Sequence, residues 1–184
     1  MKSQGEKADI IFDDRCTMHD PRVFKGKNIK EISMKARIYI MGKIIAVCTS
    51  AKKGMRKKNV GEGVLKVGFV LEGDAHGGDW HRMVSLLAME SIKTMIDKGL
   101  DVGPGDFAEN LTTEGLELFT LPIGTKLKIG ETSIGEVTQI GKECHAKCAI
   151  FYQAGDCVMP KEGIFIRLLE GGVVRVGDSI EVMA

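Results

Sequence analysis

The sequence predicts a mainly β protein, a barrel-like sheet with few helices, and three observations carry that reading. Short apolar runs separated by glycine fill the carboxy-terminal half, apolar and polar positions alternate in several short runs, and one stretch alone has helical periodicity. Strands alternating with long helices would leave a different pattern.

Residues 1–40 are polar with scattered short apolar groups and read as an amino-terminal extension of weak strand potential that carries no chemistry; the domain proper is expected at 41–184. MGKIIAVCTS, from Met41 to Ser50, is a compact β-branched run with a polar stop, as expected of a first buried strand. A basic run follows, with Lys52, Lys53, Arg56, Lys57 and Lys58 between two apolar segments. It reads either as a solvated loop or as a local anion site. GVLKVGFVLEGD alternates from Val64 to Leu71 and predicts a half-buried strand ending in a turn at Gly73 and Asp74. After the loop DAHGGDWHR, the apolar positions Leu86, Leu87, Met89, Ile92, Met95 and Ile96 recur at three and four residues, and Gly99 supplies a stop. This predicts one amphipathic helix around 84–98. The runs FAENLTTEG, TKLKIG, SIGEVTQIG, GIFIRLLEGG and VVRVGDSIEVM then predict the strands of a meandering or barrel structure.

Composition excludes several classes. A chain of 184 residues suits one principal core. No apolar run approaches the roughly 20 residues that cross a bilayer, so no membrane span is expected. The near balance of 26 basic and 25 acidic residues gives no global reason to expect nucleic acid. The amino terminus lacks an apolar signal core, which predicts a cytoplasmic protein. In that compartment five cysteines, an odd number, argue for free thiols or metal rather than a disulfide framework.

The densest chemistry lies in IGKECHAKCAIFYQAGDCVMP, Ile140 to Pro160, which holds Cys144, His145, Cys148 and Cys157. A zinc site would need a second paired cluster, and the chain has none at matching spacing. The Cys144–Cys148 spacing is one residue longer than a Cys-x-x-Cys redox pair. Flanking Lys142, His145 and Lys147 favour a reactive thiolate, since positive charge lowers a thiol's pKa. Against this, Ala149, Ile150 and Phe151 could carry Cys148 into a core as an inert cysteine.

Four blocks in order, GDAHGGDWHRMVSLL, PGDFAENLTTEGLELFTLPIGTKLKIG, VTQIGKECHAKCAIFYQAGD and EGIFIRLLEGGVVRVGDSIEV, resemble the MOSC domain, named for the carboxy-terminal part of molybdenum cofactor sulfurase. The resemblance covers nearly everything after Met41. It implies a β-barrel-centred fold that handles molybdopterin-type cofactors or mobile sulfur through one reactive cysteine. Cys148, seven residues ahead of Gly155, fits that position better than Cys144. Relatives that hold the cofactor permanently use this thiolate as a molybdenum ligand, so Cys148 is also the metal-ligand candidate. Cys144 would be a second thiol that resolves a persulfide on Cys148, and Cys157 would be structural.

The resemblance has departures. Amidoxime-reducing relatives have a closer cysteine pair and an extra amino-terminal β domain, and the sulfurase proper has a pyridoxal-phosphate domain; none of these is expected here, and no pyridoxal phosphate in this chain. A sulfur donor of the cysteine desulfurase type, or a molybdoenzyme, is therefore the expected partner.

An anionic cofactor such as molybdopterin needs cations and backbone amides near the thiolate. Gly73, Gly77 and Gly78 would let the backbone approach a ligand, Arg82 would grip a phosphate, His76 and His81 would orient it or donate protons, and the loop would lead into the helix's amino-terminal amides. In PGDFAENL, Asp106 and Glu109 read as turn caps more readily than as an acid–base pair, and the resemblance, which includes the ENL segment, implies Asn110 as the polar contact. Lys142 and Arg167 are further cations for the cofactor. The leading expectation is a carrier that binds molybdenum cofactor or a related sulfur-bearing ligand through Cys148. The alternative is an enzyme that cleaves carbon–sulfur bonds or performs molybdenum-dependent redox chemistry on a small molecule.

Overall fold

Strand β1 (Met41–Thr49) forms where the β-branched run predicts it, and Ile44, Ala46, Val47 and Cys48 along it are fully buried. In the computed structural model, which describes residues 41–76, 83–142, 144 and 148–183, β1 is followed by β2 (Lys58–Asn59), β3 (Glu62–Leu65), β4 (Val84–Ala88) and helix α1 (Met89–Asp97). Then come β5 (Leu111–Glu114), β6 (Lys126–Ile129), β7 (Ser133–Ile140), the short helices α2 (Ala149–Ala154) and α3 (Met159–Glu162), β8 (Ile164–Glu170), β9 (Gly172–Arg175) and β10 (Ser179–Val182).

Seven strands close on themselves in the order β1, β10, β6, β7, β8, β4, β5 and back to β1, so the protein is a mainly β barrel with few helices, as predicted. The seam pairs Met41 with Glu181 and Lys43 with Ser179. Within the barrel β4 and β5 run parallel, Leu86 beside Leu111, and the other neighbours are antiparallel. β2 extends from the end of β1, while β3 and β9 form a separate ribbon, Glu62 opposite Arg175.

Alternation along the strands builds two cores. Val84, Leu86 and Ala88 of β4 and Ile164, Ile166 and Leu168 of β8 point into the barrel with Ile44, Val47, Leu127, Val137 and Ile180. Leu87 and Phe165 point the other way and meet Ile92 and Met95 of α1, Ile150 of α2 and Met159 of α3 in a second core. Each fully buried Leu or Ile contributes about 1.5–3 kcal/mol, so the helices are held to the outer wall chiefly by this second cluster.

Two local expectations change. The predicted helix around 84–98 is strand for its first five residues and helix only from Met89. All five residues of β4 are buried, and a strand covered on both faces reads as a continuous apolar run that periodicity cannot separate from a helix. Gly99, at φ 87°, does end the helix, as its backbone amide closes on Ile96. The loop after residue 76 therefore leads into β4, and the amino end of α1 lies a full strand further on. The run Val64–Leu71 is also broken: β3 stops at Leu65, Gly68 at φ 74° reverses the chain, and Leu71 returns to pair with Leu65. Val67 and Phe69 consequently sit exposed at the turn.

Candidate functional site

Lys57 closes the basic loop and turns inward. Its side chain is 2% exposed, and Nζ donates at 2.6 Å to Oδ2 of Asp74, whose own side chain is fully buried. Asp74 also accepts from the Ser50 amide at 3.0 Å and from Asn110 Nδ2 at 3.0 Å. Burial opposes the charge on Asp74, but the hydrogen bonds from Lys57 and Asn110 and the charge of Lys57 win, and its carboxyl is held below the usual value. Lys57 is drawn down from the ordinary lysine value by burial, against the pull of Asp74.

Asn110 is the hub of this network. Its Oδ1 accepts from the amide and hydroxyl of Ser85, and its Nδ2 donates to the Cys48 carbonyl as well as to Asp74. At 2% exposure, with both ends of its carboxamide engaged, Asn110 serves the framework of the site and does not line the cavity.

The consequence of this anchoring is a wall. The loop ahead of Lys57 contributes Gly54, Met55 and Arg56 to one side of an open cavity of about 390 Å³. Asp106, Phe107 and Ala108 from the segment before β5 form a second side, and Lys142, Cys144, Cys148 and Cys157, with Ala149, Ile150 and Met159, form the rest. Cys144 and Cys148 are exposed to it, and Cys157 is 8% exposed. Arg56 reaches across to Asp106 at 3.2 Å. Lys142 is fixed by its own amide bonding to the Met159 carbonyl, and among the described residues it has no carboxylate partner.

The sequence-predicted residues divide accordingly. Cys148, Cys144 and Lys142 come together in the cavity. His76 stands one layer behind it, with Nδ1 3.7 Å from Asp74; burial and the charge of Lys57 lower its pKa, and Lys142 adds to that. His76 Nδ1 is buried without a hydrogen-bond partner among the described residues. Arg167 lies elsewhere, pairing at 3.0 Å with Glu136 across β7 and β8 on the exposed barrel face, and does not line the cavity. Gly77, Gly78, His81, Arg82 and His145 lie outside the described residues. Among those described, no three His, Cys, Asp or Glu side chains are grouped to hold a metal ion.

Arg56 is the cation of the basic run, read in sequence as a solvated loop or a local anion site, that lines the cavity. The basic run was visible, but which of its cations lines the site depends on the inward turn of Lys57 toward Asp74, seventeen positions away. Cys48 stands apart from the cavity thiols: it is fully buried, and burial followed by the nearby Glu109 charge pushes its thiol up to about 12.

The segment from Gly105 to Asn110 is tightly specified. Gly105 has φ 91°, and a Cβ there would collide with the Lys57 carbonyl; its own carbonyl accepts the Lys57 amide at 2.8 Å. Ala108 is held at φ 64°, an uncommon conformation for a residue with a side chain. Gly105→Ala is therefore expected to cost about 1–3 kcal/mol and to displace the Arg56 wall, measurable as a lower urea midpoint together with weaker anion binding. An unchanged midpoint would show that the two loops are not in register as described.

Glu109 is fully buried below this segment, with Oε1 accepting from the Gly105 amide at 2.6 Å and from the Thr112 hydroxyl at 2.9 Å, while Oε2 lacks a partner among the described residues. Burial raises its pKa above the usual 4.5, against the pull of those hydrogen bonds. A carboxyl whose folded pKa is raised stabilises the fold below its unfolded pKa and loses that contribution as pH rises through the folded value. Glu109→Gln, neutral throughout, should therefore gain stability relative to the wild type between roughly pH 4 and pH 7. Melting curves at both pH values would decide it: a difference that does not change with pH contradicts a raised Glu109.

The model of the MOSC domain matches residues 72–181, more than half of the chain. The chain belongs to the MOSC domain family. The match includes Asp74, His76, Asn110 and the cysteine segment, but begins after Arg56 and Lys57, so one wall of the MOSC cavity lies outside it. Among solved structures, the YUAD protein from Bacillus subtilis superimposes with a TM-score of 0.66 at 16% identity, over 78% of this chain and 96% of that one. YiiM from Escherichia coli gives 0.57 at 20%, over 79% and 70%, and YiiM from Geobacillus stearothermophilus gives 0.53 at 17%, over 79% and 75%. These identities speak to the MOSC barrel and not to its chemistry. No curated protein matches the chain. Among the described residues, no helix is long and apolar enough to cross a membrane.

Proposed function

We propose that the cavity binds an anionic, sulfur-bearing ligand of the molybdopterin type, and that Cys148 receives sulfur from it or coordinates its metal, the protein acting as a carrier. The MOSC family is associated with the molybdenum cofactor. The observation that carries the reading is the company Cys148 keeps: two exposed thiols share one cavity with a guanidinium and an ammonium. Such a ligand has a phosphate, which suits Arg56 and Lys142, and soft sulfur and metal, which suit a thiolate.

The donor set fits the cofactor on those grounds. When bound, it would supply a dithiolene-held metal of variable oxidation state. The chain's own part is to bind and orient. Arg56 would exchange Asp106 for the ligand's anion, Lys142 would neutralise charge beside the thiols, and the Lys57–Asp74–Asn110 network would keep the Arg56 wall in place. His76, with its pKa lowered, would stand uncharged behind the cavity, beside Asp74. A sulfur donor of the cysteine desulfurase type, or a molybdoenzyme that takes the cofactor, is the partner this role requires.

Elemental analysis combined with intact mass of anaerobically purified protein tests the reading. Molybdenum or tungsten with a pterin, or one added sulfur that a thiol reductant removes, is the expected result. If protein loaded with a sulfane-sulfur donor and with cofactor retains neither, the carrier role is wrong. Turnover of a small molecule by the loaded protein would instead favour the enzyme reading.

A further inference from the structure

Three thiols, not two, line the cavity, and they differ in reach. Cys144 and Cys148 are exposed, whereas Cys157 forms part of the inner lining beside Ile150 and Met159. The fold brings it there by a reversal. Cys148 sits at the amino end of α2, the helix stops at Gly155 with φ 71°, and the chain doubles back so that Cys157 faces the same space as Cys148. The turn is stiff: the Cys157 amide donates to Asp156 Oδ1 at 2.8 Å, and Asp156 is gripped by Lys161 at 2.9 Å and Lys98 at 3.6 Å. Burial pushes the Cys157 thiol up, and negative charge on Cys148 or Cys144 would push it further, so the exposed thiols lie within electrostatic reach. An arriving sulfur donor therefore meets the exposed thiols first, and Cys157 is kept as a thiol behind them.

We infer that Cys157 is the resolving thiol of the site: it releases, as sulfide, the sulfur that Cys148 has accepted. The inference rests on the sulfur-carrying form of the proposed function. The Cys157 sulfur attacks the inner sulfur of the Cys148 persulfide, a Cys148–Cys157 disulfide forms, the outer sulfur–sulfur bond breaks, and the outer sulfur leaves as hydrosulfide with the Cys157 proton. The two electrons that reduce the outer sulfur come from the two cysteines, and a dithiol reductant restores them. The enclosed position favours this step, because an attacking group held in the same cavity acts at a high effective concentration.

The test treats the reduced full chain with inorganic polysulfide, alkylates it after increasing times, and maps the peptides without reduction. Cleavage at Lys147 and Asp156 separates all three cysteines. In the wild type a persulfide on Cys148 should appear first, then give way to a Cys148–Cys157 cross-link with one sulfide released per cross-link. In Cys157→Ala, and in Cys157→Ser, which keeps the volume, the persulfide should last on the order of tenfold longer. In Cys144→Ala the Cys148–Cys157 cross-link should still form, with one sulfide released per cross-link. A Cys144–Cys148 cross-link that forms equally in the Cys157 variants, or a wild-type persulfide that persists as long as theirs, overturns the inference while leaving the carrier role standing. A Cys148 that never acquires sulfur in any variant removes both.

Discussion

Replacing Cys148 with alanine is expected to abolish persulfide formation and metal retention at the site while leaving the fold intact. The thiol is exposed to the cavity, and the residue's hydrogen bond within the fold is made by its backbone carbonyl, which accepts from the Tyr152 amide at 3.1 Å and is kept by alanine. Cys148 stands at the amino cap of α2, yet its side chain makes no capping hydrogen bond. Alanine should then change stability by less than about 1 kcal/mol, and serine, a good cap, should hold or raise it by about 0.5–1 kcal/mol. Loading should fall to background in both, read as the added mass on the intact chain and as bound metal after desalting. Near wild-type loading in Cys148→Ser would transfer the reactive role to another cysteine. A large loss of melting temperature would show that the residue is a core cysteine after all.

Asp74→Ala should be among the most destabilising single substitutions in the chain, costing about 3–5 kcal/mol, because it strands the Lys57 ammonium at 2% exposure without its hydrogen-bonded counter-charge, leaving only the more distant Glu109. The same change removes the acceptor of the Ser50 amide and of Asn110 Nδ2. The pair need not add much net stability while intact, since desolvating two charges offsets their attraction. What matters is the asymmetry of breaking it. Accordingly, the double variant Lys57→Met with Asp74→Asn, which withdraws both charges, should recover a large part of the loss. Urea denaturation of the set checks this, and a single-variant cost near the 1 kcal/mol of an exposed ion pair would mean Lys57 can swing out to water. Because Lys57 fixes the loop bearing Arg56, any Asp74→Ala protein that folds should also bind anions poorly.

Much of the barrel was legible because its strands alternate and its turns are marked by glycine. β1, Gly99 and the strands after Leu111 all lie where pattern and punctuation put them. β4 was not, because five buried residues in a row have no polar face to report their period. The cysteine segment announced itself by composition. Its walls did not: Arg56 looks like any cation in a solvated loop until Lys57 is seen to turn inward, and Asn110 looks like a contact until its four side-chain hydrogen bonds to Ser85, Cys48 and Asp74, all distant in sequence, are counted. Long-range pairings of this kind leave no local trace. Arg82 and His81, which sequence placed beside the ligand, lie outside the described residues.

The seam between β1 and β10 has a consequence for synthesis. Every described residue lining the cavity precedes Pro160, yet the strand that shuts the cylinder, Ser179–Val182, is made after all of them. A chain emerging from the ribosome thus assembles its thiols on an unfinished sheet with bare edges along β1 and β6. Reactive sulfur chemistry during that interval would meet cysteines not yet sheltered, so the strand Ser179–Val182 acts as the fastener that separates nascent from competent protein.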